Sequence, residues 1–134
     1  MPTIKTDRLD IRLSDDVVRV RQVVRTFAVE TGLSLVDQTK IVTAASELAR
    51  NALDYGGGGQ CVAEIVENVG RRGVRLTFED KGPGIADIDT ALKDGFTTGK
   101  GMGLGLGGAR RLSNEFHIDS KPGNGTRVTI VRWK

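Results

Sequence analysis

The order of hydrophobic periods along the chain predicts an α/β (α+β) two-layer sandwich, a mixed, mainly antiparallel sheet covered on one face by helices. Three observations carry that expectation. Two helix-period stretches come first, between Val17 and Ala52. Two hairpin-like strand pairs follow, at 61–78 and 116–133, and a long irregular stretch over residues 80–103 separates them. Residues 1–134 are expected to form a single domain, because a chain of 134 residues fills one hydrophobic core and not two.

Ile4, Thr6, Leu9, Ile11 and Leu13 mark an opening extended segment with imperfect alternation. Ser14-Asp15-Asp16 supplies cap-type residues for a first helix. Along it Val17, Val20, Val24, Phe27 and Ala28 recur at helical spacing as far as Gly32. Ser34, followed at the third position by Asp37, begins a second helix in capping-box style. Its apolar stripe runs through Ile41, Ala44, Ala45, Leu48 and Ala52 and stops at four glycines, 56–59. Strands over 61–66 and 73–78 are joined by a turn at 68–72 rich in hairpin residues. The irregular stretch contains one short helical segment near 88–92; a stretch this long is most often a lid or a binding loop. A helix over 104–112 with small residues on one side precedes a last strand pair, 116–118 and 127–133, around Pro122-Gly123-Asn124-Gly125.

Composition narrows the classes of partner. The net charge is only +3, the arginines are interspersed with acids, and aromatic surface for stacking bases is scarce. Nucleic acid is therefore not an expected partner. No window approaches the length of an apolar membrane span and the first residues carry no signal-peptide pattern, so no membrane role is expected and the default compartment is the cytoplasm. The one cysteine, Cys61, excludes an internal disulfide and a multi-cysteine metal site, and is expected to be a small core residue. His117, in a strand without a partner nearby, is expected to be structural or superficial. The 18 glycines cluster at 56–59, 82–84 and 99–108, so they serve particular loops.

Three motifs carry chemistry. Glu47 and Asn51 stand four apart on the second helix and project from one face, at the edge of the apolar stripe. An amide oxygen is a hard ligand suited to Mg²⁺, and a neighbouring carboxylate can take a proton from an attacking hydroxyl. Taken alone, such spacing is common on solvated helix faces. Asp80 heads Asp80-Lys81-Gly82-Pro83-Gly84, where a strand-end carboxylate can accept from an exocyclic amine and glycines let a flat ring approach the backbone. Gly101, Met102, Gly103, Leu104 and Gly105, just after Lys100, expose backbone amides at a helix start, which suits an anion. The string Gly103-Leu104-Gly105-Leu106-Gly107-Gly108 satisfies G-x-G-x-x-G, but no apolar strand precedes it, so a dinucleotide fold is not expected.

In this order, the E-x-x-x-N helix, the D-x-G-x-G turn and the later G-x-G-x-G loop resemble the three boxes of the Bergerat-fold (GHKL) ATPase and kinase superfamily. The resemblance covers nearly the whole chain. It is strongest to the small bacterial anti-sigma-factor serine/threonine kinases, and among those to the stressosome switch kinases. The resemblance implies a Bergerat ATP-binding fold using ATP and Mg²⁺, with Glu47 as catalytic base and Asn51 as Mg²⁺ ligand. It implies that Asp80 accepts from the adenine amino group, that Gly82 and Gly84 line the base pocket, and that Thr126 completes the adenine side. Lys100 through Gly105 would form the lid and the phosphate-contacting helix start, with Lys100 the candidate γ-phosphate cation. Asp54 matches an acid that some relatives carry, and Arg21 a first-helix arginine that engages a protein substrate. The implied partners are STAS-domain antagonist and stressosome scaffold proteins, and a PP2C-type phosphatase or other output protein. A module that binds ATP and sequesters a partner without transferring phosphate is the competing expectation. A detached ATP-binding half of a histidine kinase is disfavoured, since no dimerisation helix with an acceptor histidine is present.

Overall fold

The computed structural model describes residues 2–85, 87–92 and 105–134. Among these residues the elements are, in order, β1 (Thr3–Ile11), α1 (Ser14–Thr31), α2 (Leu35–Asp54), β2 (Gly59–Asn68), β3 (Arg71–Asp80), α3 (Ile88–Ala91), α4 (Gly105–Arg111), β4 (Glu115–Ser120) and β5 (Thr126–Trp133). The strands form one sheet in the order β1-β2-β3-β5-β4, and every pairing among the described residues is antiparallel.

The helices lie on one face because their apolar stripes have one place to go. Val17, Val20, Val24 and Phe27 of α1 and Ile41, Ala44, Ala45 and Leu48 of α2 pack on Cys61, Ala63, Leu76, Phe78 and Ile130 of the sheet. All of the stripe residues expected to be buried on the two helices are buried. The other sheet face is largely polar, tied by the Arg75–Glu64 and Arg127–Glu79 pairs, both at 3.0 Å. It carries one small apolar group of Val66, Val131 and Trp133.

Both long helices start with identifiable caps. Ser14 proves to be the first helical residue, and Asp16 does the capping: its carboxylate accepts from the backbone N–H of Arg12 at 2.8 Å and of Leu13 at 2.9 Å. Those two bonds hold the Asp16 carboxyl below the usual range. At α2, Ser34 Oγ accepts from Asp37 N at 3.1 Å, which is half of the expected capping box. The other half is diverted. The Asp37 carboxylate takes Arg132 Nη2 of β5 at 2.8 Å, and Arg132 Nη1 also reaches the Leu112 carbonyl at 3.4 Å. One guanidinium thus joins the start of α2, the end of α4 and β5.

β1 runs along the sheet edge, and its mixed sequence follows from that position. Lys5 pairs with Glu30 of α1 at 2.8 Å and lies 5.2 Å from the centre of the Phe27 ring, so its stem covers apolar surface. No helix among the described residues is long and apolar enough to cross a membrane.

Candidate functional site

The site is built where α2 ends. Leu48, Ala49 and Ala52 turn into the core, which leaves Glu47 and Asn51, one turn apart, half-buried at the border of the packed stripe. Among the described residues neither side chain has a hydrogen-bond or ion-pair partner. The Asn51 carbonyl accepts from Tyr55 N at 3.0 Å and Gly56 N at 3.3 Å, and this ends the helix.

The glycine turn that follows brings α2 against Asp80. A methyl on Gly56 would run into the Asp80 carboxyl carbon and stand 2.6 Å from its Cβ, so only glycine lets the two segments meet. Asp80 Oδ1 accepts from Gly82 N at 2.9 Å, which curls the chain after β3. A Cβ on Gly82 would come within 2.6 Å of Gly56 Cα, so these two glycine turns pack directly on each other. Gly84 has φ 76° and a Cβ there would overlap the Lys121 carbonyl. Gly123 N donates to Pro83 O at 2.7 Å, docking this loop on the β4–β5 turn. Thr126, the first residue of β5, is paired with Asp80 in the ladder. Asn51, Asp80, Gly82, Gly84 and Thr126 therefore come from three parts of the chain to one end of the sandwich.

Burial raises the Asp80 carboxyl above the ordinary aspartate range, opposed by the N–H groups of Gly82 and Thr126. Among the described residues no cation pairs with this half-buried carboxylate, which leaves it free to accept from a ligand donor. An open groove of about 550 Å³ also reaches Asp80 and Thr126, from the side of Glu79, Asp119 and Arg127. It takes in neither Glu47 nor Asn51, so it is not the space that the helix residues flank.

Among the remaining expected residues, Gly105 is the first residue of α4, with φ 65°, and α4 packs on α2. Lys100, Gly101, Met102, Gly103 and Leu104 lie outside the described residues. Arg21 is exposed on α1, and Asp54 is exposed at the end of α2. His117 is exposed on β4, and Cys61 is fully buried with its thiol pushed up to about 12 by desolvation, so the cysteine is no nucleophile at neutral pH.

Two contributors were missed by sequence reasoning. Gly56 was seen only as part of a helix-ending run, although its lack of a side chain is what seats Asp80. Ser120, at the end of β4, accepts from Ile85 N at 2.8 Å and joins the loop after Asp80 to β5. Its only sequence signal was its place before a Pro-Gly turn.

A sandwich whose one-sided helix layer presents an acid and an amide beside a turn-held aspartate defines a class of nucleotide-handling proteins. The chain belongs to the histidine kinase-, DNA gyrase B- and HSP90-like ATPase family, whose sequence model matches residues 36–134. Within that family it is a serine/threonine-protein kinase. It is 46% identical over 118 residues to the serine/threonine-protein kinase RsbT of Bacillus subtilis (strain 168), a match spanning 88% of this chain and 89% of that protein. It is 30% identical to an anti-sigma F factor of Thermoanaerobacter sp. (strain X514), over 84% of this chain and 82% of that one. Its fold is also that of a Mycobacterium tuberculosis chain with RsbU and RsbW domains, with TM-score 0.66 and 24% identity. That superposition covers 100% of this chain and 33% of the longer one.

Proposed function

We propose that this protein transfers the γ-phosphate of ATP, with Mg²⁺, to a serine or threonine of STAS-domain antagonist and stressosome scaffold proteins in the cytoplasm. The observation that supports it most is the pair Glu47 and Asn51, both unpartnered among the described residues, on the helix that ends against Asp80. Residues 1–134 would act as one ATP-binding domain.

The donor set fits a magnesium nucleotide rather than a protein-caged metal. Among the described residues no group of three or more acidic, histidine or cysteine side chains could enclose an ion. Asn51 alone would hold Mg²⁺, as suits an ion that keeps its waters and phosphate oxygens. When bound it supplies positive charge against the phosphates. Asp80 accepts from the base amino group, Gly82 and Gly84 let the ring lie close to the backbone, and Thr126 closes that side. Lys100 through Gly105 would contact the phosphates. Glu47 takes the proton of the substrate hydroxyl as its oxygen bonds to phosphorus and ADP departs. Arg21, exposed on α1, contacts the protein substrate.

The product carries close to two negative charges where a neutral hydroxyl stood, so the complex weakens and the kinase is released. The freed kinase then binds and activates a PP2C-type phosphatase or similar output protein. The anti-sigma F relatives favour a second reading, a module that holds a partner with ATP as a structural ligand. Incubation with γ-labelled ATP and a candidate STAS-domain protein separates the two. Label on the partner is expected; ATP binding with a stably held but unlabelled partner would establish the second reading.

A further inference from the structure

The Ser120 hydroxyl has three neighbours at hydrogen-bond distance. It accepts from Ile85 N at 2.8 Å, lies 2.9 Å from the Gly125 carbonyl oxygen, and lies 2.8 Å from Thr126 Oγ1. A serine hydroxyl has one hydrogen and two lone pairs. The Ile85 N–H takes one lone pair. A carbonyl oxygen can only accept, so the single Ser120 hydrogen goes to Gly125. The second lone pair is then left for Thr126, which must be the donor. The reverse order would set a Ser120 lone pair against the Gly125 carbonyl oxygen at 2.9 Å and leave that carbonyl without its Ser120 partner.

We propose that Ser120 is a positioning residue that consumes the Thr126 hydroxyl hydrogen, so that Thr126 meets the nucleotide base as an acceptor only and selects a purine with an amino group at C6. This rests on the reading above that the base sits at Asp80 and Thr126. Asp80 by itself discriminates poorly. As a carboxylate it accepts equally from the 6-amino group of adenine or from the N1–H of hypoxanthine. The second acceptor makes the difference, because a 6-carbonyl would face the Thr126 lone pairs with no hydrogen between them. A site that must leave a polar group unpaired rejects a ligand more strongly than one that merely loses a contact.

The test is the equilibrium affinity of the full chain for ATP and for inosine triphosphate. The wild type prefers ATP. In Ser120→Ala the Thr126 hydrogen is released and can donate to a 6-carbonyl, so the preference narrows by about fivefold or more. Thr126→Val removes the acceptor and narrows it too. If Ser120→Ala weakens both nucleotides by the same factor, or changes neither, Ser120 is structural and the proposal is overturned. Should that variant not fold, an unaltered preference in Thr126→Val overturns it instead. Asp80→Asn tells the two levels apart. If it binds ATP as the wild type does, the base is elsewhere and both readings fall. If it loses ATP while Ser120→Ala keeps the wild-type preference, only the Ser120 assignment falls.

Discussion

At Asp80 the folded chain carries a carboxyl raised above its ordinary range by burial. For such a group the charged form is disfavoured in the folded state. Its contribution to stability is fully present below the unfolded pKa and is lost as pH rises through the folded one. At neutral pH the ionised Asp80 is therefore less favourable to the fold than its protonated form. Asp80→Asn keeps an oxygen for the Gly82 N–H and removes the buried charge. The variant should melt at or above the wild-type temperature at pH 7, yet bind ATP at least about tenfold more weakly. Calorimetric melting together with nucleotide titration checks both halves; a clear loss of stability would mean that Asp80 serves the fold and not the ligand. Asp80 was legible in the sequence because a strand end, an acid and a glycine turn are all local. Ser120 and Gly56 were not, since each acts through a neighbour 6 and 24 positions away, at Thr126 and Asp80.

Among the elements, α2 was the most readable and β1 the least. The α2 stripe is unbroken from Ile41 to Ala52, with a cap residue before it and glycines after. In β1 only Leu9 and Ile11 are buried, and charged residues such as Lys5 reach the helix layer by their stems, which blurs the alternation. The β2–β3 hairpin shows a different conflict. Its turn places Val69 at φ 51°, a left-handed conformation that a β-branched side chain resists, and leaves it 95% exposed. Asn is at home at that position of a two-residue hairpin turn. Val69→Asn should therefore stabilise the protein by about 1 kcal/mol, read as a higher urea midpoint with an unchanged slope. A lower midpoint would show that Val69 is held by something other than the turn.

For the molecule as a whole, the Asp37–Arg132 pair ties the helix layer to the sheet. Arg132 holds the Asp37 carboxyl below its usual value, chiefly through their hydrogen bond. A lowered folded pKa gives stability that is present above the unfolded value and lost as pH falls through the folded one. Asp37→Asn should cost about 2 kcal/mol at pH 7, measured by urea unfolding, with the two proteins converging in acid. A constant gap down to acid pH would rule the pair out as the cause. The one-sided sandwich itself was foreseeable, because two long apolar stripes and two hairpins admit few other packings. The all-antiparallel order β1-β2-β3-β5-β4 was not, since strand neighbours are fixed by contacts distant in the chain.

The central claim is that Glu47 moves a proton while the nucleotide is held by others. Glu47→Gln keeps shape and hydrogen-bonding reach but removes the base. Its rate of phosphate transfer from ATP to a STAS-domain substrate should fall about a hundredfold or more, with ATP affinity staying within about threefold of wild type. Transfer at the wild-type rate in Glu47→Gln would contradict the account.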